Sequence, residues 1–171
     1  NYRVENISME PNLHEGQFLI INRFAYCPGF HLDLPPLNVH LDKAWCVWTP
    51  ARGDVVYFHY PENPIKDFIK RVIGLPGETV EVKSGRVYND SKPMSEPFGP
   101  NPGSYNAPPL TVGPDEVYVM GDNRNNSSDS HLWGPLQLDH IIGKALASYW
   151  PPKYWSIVPQ YDLNDLGATG Q

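Results

Sequence analysis

DFIKRVIGLPG, residues 67–77, is an alternating apolar segment that leads into a Pro-Gly turn. Because strand side chains alternate in direction and a Pro-Gly pair ends a strand, this stretch predicts a β-strand over 67–75 followed by a tight turn. In such a strand Lys70 shares a face with Phe68 and Val72, and Arg71 points to the opposite face. A lysine on an apolar face either extends its stem to reach water or is buried with a lowered pKa. On this strand alone, extension to water is the favoured interpretation.

Short apolar or alternating runs recur on both sides of this segment, and turn residues bound each of them. Such runs predict further strands at 17–23, 54–60, 79–83, 86–89, 116–120 and 141–149, with a tight hairpin at Ser84-Gly85. No long stretch keeps the 3.6-residue apolar period of an amphipathic helix. The 19 Pro and 14 Gly also exceed what a helical protein carries. The sequence therefore predicts a mainly β fold.

Two segments crowded with Pro interrupt this pattern, at 24–51 and 91–114, and we expect irregular excursions from a β core there. The first contains Cys27 and Cys46, for which a disulfide and two free thiols are both open. A Cys/His zinc site is a third alternative, but the spacings match no established zinc pattern, and we expect no metal. The C-terminal tail loses the apolar periodicity, and we expect it to be mobile from about Gln160.

Composition and charge restrict the classes of partner. The net charge is −6, and no basic run follows the spacing of a phosphate backbone, so we expect no nucleic-acid partner. The longest apolar runs, such as 18–21 and 145–150, fall far short of the roughly 20 residues that cross a bilayer. As given, the chain therefore reads as soluble. It begins at Asn1 without an initiator methionine, which suggests a fragment of a longer protein.

A serine and a lysine are the candidates for nucleophilic chemistry. Ser8 opens SMEPNL, where a Pro-containing turn would stop a strand and expose the hydroxyl at its end. Alone, such a serine is more often structural, since it needs a base. The six histidines are scattered and no Gly-x-Ser-x-Gly motif is present, which disfavours a Ser-His-Asp triad without excluding it. If Lys70 is buried instead, its neutral amine is available as that base.

Four segments together resemble one family. SMEPNL at 8–13, RGDVVYF at 52–58, KRVIGLPGE at 70–78 and GDNRNNSSDS at 121–130 are similar, in the same order, to the segments of bacterial type I signal peptidases. These are membrane-anchored enzymes that remove signal peptides from exported proteins. The resemblance implies a β-barrel or antiparallel-sheet catalytic core with a smaller β-rich excursion. Here the core would occupy 1–77 and 115–150 with an insertion at 24–51, the excursion 78–114 and a C-terminal tail 151–171.

The resemblance implies a role for several residues. Ser8 would be the nucleophile, Lys70 the general base, and Ser127 the hydroxyl that hydrogen-bonds the lysine. Asp129 would be the carboxylate that normally pairs with an arginine two residues later, but His131 stands there. A histidine of ordinary pKa, about 6.5, is mostly neutral at pH 7 unless the carboxylate holds its proton, so this departure puts the ion pair in question. We expect the pair to be structural.

The resemblance also implies that substrate binds as an added strand, between edges at 2–8 and 67–70. Shallow pockets for small side chains, as in Ala-x-Ala-like cleavage sites, would then be lined by Val4, Met9, Leu13, Phe68, Ile69 and Val119. Ordinary core packing is the alternative for these residues, and for Leu13 and Val119 the two are evenly matched. Asn6 shares a strand face with Ser8, so its side-chain amide is a candidate second oxyanion donor beside the Ser8 N–H. The alternative is that Asn6 merely bonds local backbone.

As implied partners we expect signal peptides of exported preproteins and a membrane surface, with no cofactor. The full-length protein would be anchored in the membrane with its catalytic domain on the extracytoplasmic side. Two other functions stay open on the sequence. One is a self-cleaving repressor-type Ser/Lys peptidase, against which the Gly-Asp-Asn-Arg segment argues. The other is a β-rich binding module in which the serine and lysine are incidental.

Overall fold

The structure is a computed structural model, and it describes residues 2–26, 32–34, 39–41, 49–161 and 163. Within these residues most of the regular secondary structure is strand. The strands are β1 (Tyr2–Arg3), β2 (Phe18–Asn22), β3 (Leu32–Leu34), β4 (Val39–Leu41), β5 (Val55–His59), β6 (Asp67–Gly74), β7 (Thr79–Lys83), β8 (Arg86–Asn89), β9 (Lys92–Pro93), β10 (Ala107–Thr111), β11 (Glu116–Met120), β12 (Leu136–Gln137), β13 (Ile141–Trp150) and β14 (Ser156–Ile157). The one α-helix in the described part of the chain, α1, spans Ser130–Trp133, and 3-10 helices span Arg124–Asn126, Leu138–His140 and Pro152–Tyr154.

The strands that the structure describes form three antiparallel sheets. The main sheet has the order β1-β2-β13-β5-β6-β11-β12, with β14 paired to β13. A second sheet has the order β10-β7-β8-β9, and β3 pairs with β4. The second sheet begins after the turn that ends β6 and leads back into β11, so it is an excursion between two neighbouring strands of the main sheet. The mainly β, antiparallel fold class is confirmed, while the boundaries of core, excursion and tail stay predictions.

All seven strands that the sequence predicts are present, and their ends agree to within one residue. The hairpin at Ser84-Gly85 is confirmed as well, since both residues have positive φ, 50° and 77°, as a type I′ turn requires. The expectation of irregular chain throughout 91–114 is wrong, because β10 lies inside it. Pro108 and Pro109 are tolerated there since β10 is an edge strand with a register shift between Ala107 and Leu110.

The buried apolar residues form three clusters, and β6 contributes to all of them. Ile69 packs in the cluster under the N-terminal segment, Val72 in the cluster of β5 and β11, and Ile73 in the cluster of the second sheet. Burying side chains of this size contributes about 1.5–3 kcal/mol each. Because three cores meet on one strand, the backbone of β6 is a rigid support for Lys70 and Arg71.

The tail is ordered for longer than expected. The Gln160 side chain donates to the Ala145 carbonyl at 2.8 Å and accepts from the Val55 N–H at 3.3 Å. A side chain on Gly53 would collide with the carbonyl of Tyr161, so this part of the tail packs directly on the core. The expectation of mobility from Gln160 is therefore wrong for Gln160 and Tyr161. No helix among the described residues is long and apolar enough to cross a membrane.

Candidate active site

Ser8 lies in a turn and not at the end of a strand. β1 ends at Arg3, and the turn begins before the serine, because the Glu10 N–H donates to the Ile7 carbonyl at 3.1 Å. The Leu13 N–H donates to the Met9 carbonyl at 2.9 Å and closes the next turn. Residues 2–8 therefore do not form the predicted strand, since the turn-forming tendency of SMEPNL extends further upstream than its proline. The serine is also buried and only 3% exposed, contrary to the expected exposed hydroxyl.

Lys70 reaches this serine from the middle of β6. Its Nζ donates to Ser8 Oγ at 2.8 Å and to the Ile69 carbonyl at 3.0 Å, and it lies 5.0 Å from the centre of the Phe68 ring. The lysine is 1% exposed, so extension to water, which the strand alone favoured, is wrong. The two side chains are 62 residues apart in sequence and are brought into direct contact inside the protein.

The electrostatic surroundings of Lys70 favour its neutral form. Burial lowers the pKa of Lys70 from 10.5 to about 8, and the charges of Asp129 and Asp122 oppose this shift without cancelling it. Among the described residues no carboxylate lies within ion-pair distance of Nζ. A substantial fraction of neutral amine is therefore present at mildly alkaline pH, next to a hydroxyl that it contacts.

The serine turn is pinned to the segment that follows β11. The Ser8 carbonyl accepts from the Asn123 N–H at 2.9 Å, and the Asn123 side chain donates to the Ile7 carbonyl at 3.2 Å. The Asn12 side chain donates to Asp122 Oδ2 at 2.9 Å. These contacts fix the position of Ser8. The sequence analysis assigned no role to Asn12, Asp122 or Asn123, although all three lie in the SMEPNL and GDNRNNSSDS segments.

Asp122 is in turn held by Arg71, the residue beside Lys70 on the opposite face of β6. Arg71 Nε and a terminal nitrogen donate to the two Asp122 oxygens at 2.9 and 2.8 Å, and both side chains are essentially unexposed. Arg71 also donates to the carbonyls of Gly53 and Pro159 and lies 4.5 Å from the Phe98 ring centre. The sequence analysis missed this pair. An arginine amid apolar residues on a strand was the available signal, because a buried guanidinium requires a carboxylate partner.

Asp129 braces the same loop. Its Oδ2 accepts from the Gly121 N–H at 2.9 Å, and its Oδ1 lies 2.6 Å from His131 Nδ1. The contact between Asp129 and His131 therefore forms although histidine replaces the expected arginine. The His131 ring stacks on Tyr105 with 4.2 Å between ring centres.

Ser127 lies beside Ser8 but does not make the contact that the resemblance implied. Its hydroxyl is buried and has no hydrogen-bond partner in the part of the chain that the structure describes. A side chain on Gly121 would meet both Ser127 Oγ and the Ser8 carbonyl, which places the three next to one another. The expected hydrogen bond between Ser127 and Lys70 is absent; Nζ donates to Ser8 and to the Ile69 carbonyl.

The Asn6 amide contacts the nucleophile segment in a different way from the one predicted. The Ser8 N–H donates to Asn6 Oδ1 at 3.1 Å, which is the local backbone contact considered as the alternative. Because these residues lie outside β1, the strand geometry that placed them on one face does not apply. The Asn6 side chain is exposed, so it is free to rotate away from the Ser8 N–H.

The six predicted pocket residues belong to two apolar clusters. Val4, Met9, Leu13 and Ile69 pack together under the serine turn, whereas Val119 is buried in the neighbouring cluster. Phe68 is half-buried and stacks on Tyr60, with 4.5 Å between ring centres. These residues pack as core in this structure, and the pocket role stays a prediction.

The other predicted features lie partly outside the described residues. Cys27 and Cys46 both do, so the disulfide and zinc alternatives stay open. Within the described residues, no group of three or more His, Cys, Asp or Glu side chains is arranged to hold a metal ion. Most of the insertion at 24–51 is likewise outside the described part, apart from β3, β4 and the segments next to β2 and β5.

The chain is similar in sequence to known signal peptidases. The family model for signal peptidase, peptidase S26, matches residues 1–150. Signal peptidase I of Leptolyngbya laminosa is 48% identical over 170 residues, which cover 95% of this chain and 69% of that protein. "Probable signal peptidase I-1" of Synechocystis sp. is 41% identical over 155 residues, 86% of this chain and 69% of that protein. A crystal structure of a signal peptidase I from Enterococcus faecalis shares 29% identity at a TM-score of 0.48, covering 56% of this chain and 96% of that one.

A buried serine in contact with a lysine, on an antiparallel β fold, is the arrangement of a serine hydrolase whose base is an amine. The family match narrows this class from serine hydrolases in general to one family of peptidases. The chain belongs to the signal peptidase family, peptidase S26, and is accordingly a hydrolase of the serine endopeptidase class. The predicted family is confirmed, and it sets aside the alternative of a non-catalytic binding module.

Proposed function

We propose that the protein cleaves signal peptides from exported preproteins, with Ser8 as nucleophile and Lys70 as general base. The observation that carries this proposal is the 2.8 Å contact between Lys70 Nζ and Ser8 Oγ in a buried site. Burial lowers the pKa of Lys70 to about 8, which supplies a neutral amine near physiological pH. The family relatives named above are signal peptidases, which supports this substrate class.

The proton transfers follow from that contact. The neutral amine takes the proton of Ser8 Oγ as the oxygen attacks the scissile carbonyl and forms the tetrahedral intermediate. The resulting ammonium then gives its proton to the departing amine of the mature protein, which leaves an acyl ester on Ser8. Water, deprotonated by the same Lys70 amine, attacks the ester, and the ammonium returns that proton to Ser8 Oγ as the signal peptide departs. Lys70 Nζ therefore accepts and donates the proton in both halves of the reaction. It is neutral again when the signal peptide has left.

The oxyanion of that intermediate needs hydrogen-bond donors, and the Ser8 N–H is the first candidate. In the free protein this N–H donates to Asn6 Oδ1. For Asn6 to act as the second donor, its amide must rotate when substrate enters, so that Nδ2 faces the oxyanion. Asn6→Ala then lowers kcat by about 10²–10³ with little change in KM, because the lost hydrogen bond belongs to the transition state. A near-normal kcat would limit Asn6 to its local backbone contact.

Substrate would bind along the N-terminal half of β6. β11 pairs with this strand only at Arg71, Val72 and Gly74, so residues 67–70 have no partner strand on that side among the described residues. An extended peptide added there would run past Lys70, with its scissile carbonyl at Ser8. Small side chains, as in an Ala-x-Ala-like sequence, suit pockets whose lining residues are already close-packed.

A membrane surface is the second proposed partner, and one face of the main sheet supports it. Ile20, Ala147 and Ile157 are directly opposite one another across β2, β13 and β14, and Ile20 and Ile157 are 49% and 81% exposed. Trp155, two residues before Ile157 in the chain, is 78% exposed. Exposed apolar and tryptophan side chains suit the interfacial layer of a bilayer. Trp155→Ala is expected to weaken sedimentation with phospholipid vesicles, and unchanged sedimentation would contradict this role.

The family is membrane-associated. For the full-length protein we propose a membrane anchor and a catalytic domain on the extracytoplasmic side, where exported preproteins emerge. Protease accessibility in intact and inverted membrane vesicles tests this orientation. Digestion of the catalytic domain from the cytoplasmic side alone would contradict it.

The test of the proposed activity is cleavage of a synthetic signal peptide at mildly alkaline pH. Wild type is expected to cut after the Ala-x-Ala-like sequence, and Ser8→Ala to lose measurable turnover. Ser95→Ala is the matched control, because this serine is exposed and lies outside both the serine turn and β6. Cleavage of the chain itself with none of the added peptide would favour the self-cleaving repressor-type function. Turnover by Ser8→Ala at the wild-type rate would overturn the assignment of the nucleophile.

A further inference from the structure

The chain between β9 and β10 lies against both segments that hold the candidate nucleophile. Within residues 96–101, the Phe98 carbonyl accepts from the side chain of Asn12, a residue of the serine turn, at 2.9 Å. The Phe98 ring is buried, and its centre lies 4.5 Å from Arg71 Cζ and 5.9 Å from Arg124 Cζ. Residues 96–101 therefore contact the serine turn, β6 and the segment after β11 at the same time.

Asn101 binds the backbone on both sides of the residue that contacts Ser8. Its N–H donates to the Asp122 carbonyl at 2.9 Å, and its carbonyl accepts from the Arg124 N–H at 3.2 Å. Between these two points the Asn123 N–H donates to the Ser8 carbonyl at 2.9 Å. Because Asn101 holds the residues before and after Asn123, it also fixes the direction of the Asn123 N–H.

The side chains of Glu96 and Arg124 connect the same two segments. Both terminal nitrogens of Arg124 donate to the Glu96 carboxylate, one of them at 3.2 Å. Nε of Arg124 donates to the Gly121 carbonyl at 3.1 Å. The Arg124 side chain is 1% exposed and that of Glu96 16%, so solvent screens this ion pair little. Two parallel contacts with a carboxylate fix the plane of the guanidinium and with it the direction of Nε.

Gly121, which receives this Nε, is in direct contact with the serine turn. A Cβ on Gly121 would lie 2.5 Å from the Ser8 carbonyl oxygen, closer than two such atoms can approach. No free space therefore separates the two backbones, and a displacement of one is transmitted to the other. The contacts form a continuous path from Glu96 through Arg124 and Gly121 to Ser8.

We infer that Glu96 is a positioning residue for the nucleophile. It orients the Arg124 guanidinium, which holds the Gly121 carbonyl, and Gly121 in turn fixes the backbone of Ser8. Through this path the excursion sets the distance between Ser8 Oγ and Lys70 Nζ, on which the rate of proton transfer depends. The inference rests on the proposed role of Ser8 as nucleophile.

A double-mutant cycle in the full-length enzyme tests this path. Glu96→Gln removes the charge that orients the guanidinium, and Arg124→Lys keeps a cation for Glu96 but loses the Nε donor. Each variant is expected to lower kcat per folded molecule about 10-fold, because the serine turn shifts relative to Lys70. KM is expected to stay within about two-fold of wild type, since β6 still binds the peptide. The double variant is expected to lose no more than the worse single variant, because both substitutions break the same path.

Glu81→Gln is the matched control for the loss of a carboxylate. It breaks the ion pair of Glu81 with Lys83 on β7, in the second sheet, and is expected to leave kcat at the wild-type value. Urea unfolding of every variant gives the folded fraction by which kcat is corrected. Arg124→Lys keeps the two charges paired, so it provides the test where Glu96→Gln folds poorly.

Three results would overturn the inference. They are a normal kcat in a folded Glu96→Gln or Arg124→Lys enzyme, a double variant in which the two losses multiply, and an equal loss in Glu81→Gln. Failure of the proposed function looks different, because Ser8→Ala would then retain turnover. If only the inference fails, Ser8→Ala stays inactive.

Amide hydrogen exchange gives a readout that does not depend on turnover. The Asn123 N–H is bonded to the Ser8 carbonyl, and the Val72 N–H, in β6, to the Asp54 carbonyl at 2.8 Å. In Glu96→Gln, exchange of the Asn123 amide is expected to accelerate at least about 10-fold more than exchange of the Val72 amide, because Glu96 acts locally on the serine turn. Equal acceleration of both amides would indicate a general loss of stability and would overturn the inference.

Discussion

Lys70 and Arg71 are neighbours in β6 and are equally buried, but they lie on opposite faces of the strand and differ in their partners. Lys70 contacts the Ser8 hydroxyl, and carboxylates act on it only from beyond ion-pair distance. Arg71 has both oxygens of Asp122 and lies against the Phe98 ring. One face of the strand therefore holds a cation with a neutral partner, and the other face a cation with a charged one.

This difference shows that burial alone does not determine whether a basic side chain keeps its proton. Desolvation penalises both, but the Asp122 carboxylate compensates Arg71, whereas burial lowers the pKa of Lys70 to about 8. Arg71 consequently stays charged and fixes the segment that holds the serine turn. Lys70 is able to give up its proton, and this is the property that a general base needs.

The largest effect is expected from removing the amine. Lys70→Met keeps the stem of the side chain and should lower kcat/KM by at least about 10⁴, because Lys70 is the only base that contacts Ser8 among the described residues. Lys70→Arg is expected to be as inactive, since a guanidinium does not give up its proton. Peptide cleavage and urea unfolding measured together separate chemistry from folding. Substantial activity in Lys70→Met with a normal fold would remove Lys70 from the mechanism.

Arg71→Met should destabilise the protein, whereas Lys70→Met removes the desolvation cost of a buried amine and should not. Arg71→Met leaves the buried Asp122 carboxylate without its partner, and we expect a loss of about 3–5 kcal/mol in the free energy of unfolding. The double variant Arg71→Met with Asp122→Asn removes both charges and should recover part of this loss. Denaturant unfolding of wild type, the single variant and the double variant measures both the loss and the recovery. A loss below about 1 kcal/mol in the single variant would mean that the pair is not a structural element.

The pH dependence of stability should differ between the two cations as well. Between the folded-state pKa of about 8 and the ordinary value of 10.5, the unfolded chain binds more protons at Lys70 than the folded protein does. The free energy of unfolding of wild type should therefore rise with pH across this window, by up to about 3 kcal/mol relative to Lys70→Met. Below pH 8 both states are protonated and the full desolvation cost remains. Parallel curves for the two proteins would contradict a lowered pKa.

The rate of cleavage should rise over the lower part of the same window. As pH passes through about 8, the fraction of neutral Lys70 amine increases, and kcat/KM increases with it. Steady-state cleavage of a signal-peptide substrate across this range measures the limb. A flat profile would indicate a different base.

The smallest of these effects is expected at Gly121, which lies next to both Ser8 and Ser127. A Cβ on Gly121 would lie 2.3 Å from Ser127 Oγ and 2.5 Å from the Ser8 carbonyl, so Gly121→Ala must displace the nucleophile segment. We expect kcat to fall about 10- to 100-fold, since small misplacements of reacting groups are costly. In Gly113→Ala, the matched control, the new methyl meets the flexible side chain of Glu116. Equal activity of the two variants would show that the serine turn tolerates the shift.

Much of the fold was predictable because its signals are local. Period-two alternation and turn residues located seven strands, and the Ser84-Gly85 pair located a hairpin. The strands β3, β4, β9, β10, β12 and β14 were not predicted; all of them except β10 have only two or three residues, which carry too little pattern. β10 in particular contains two prolines that the edge position tolerates.

The sequence by itself determined the β architecture, the family and the pair of residues proposed for catalysis. Alternation, turns and the four ordered motifs are properties of neighbouring residues, so they are visible without a structure. The tertiary structure decided whether each charge is compensated. Ser8 meets Lys70 across 62 residues and Asp122 meets Arg71 across 51. Desolvation and ion pairing depend on which groups surround a side chain in space, and folding brings those groups from distant parts of the chain.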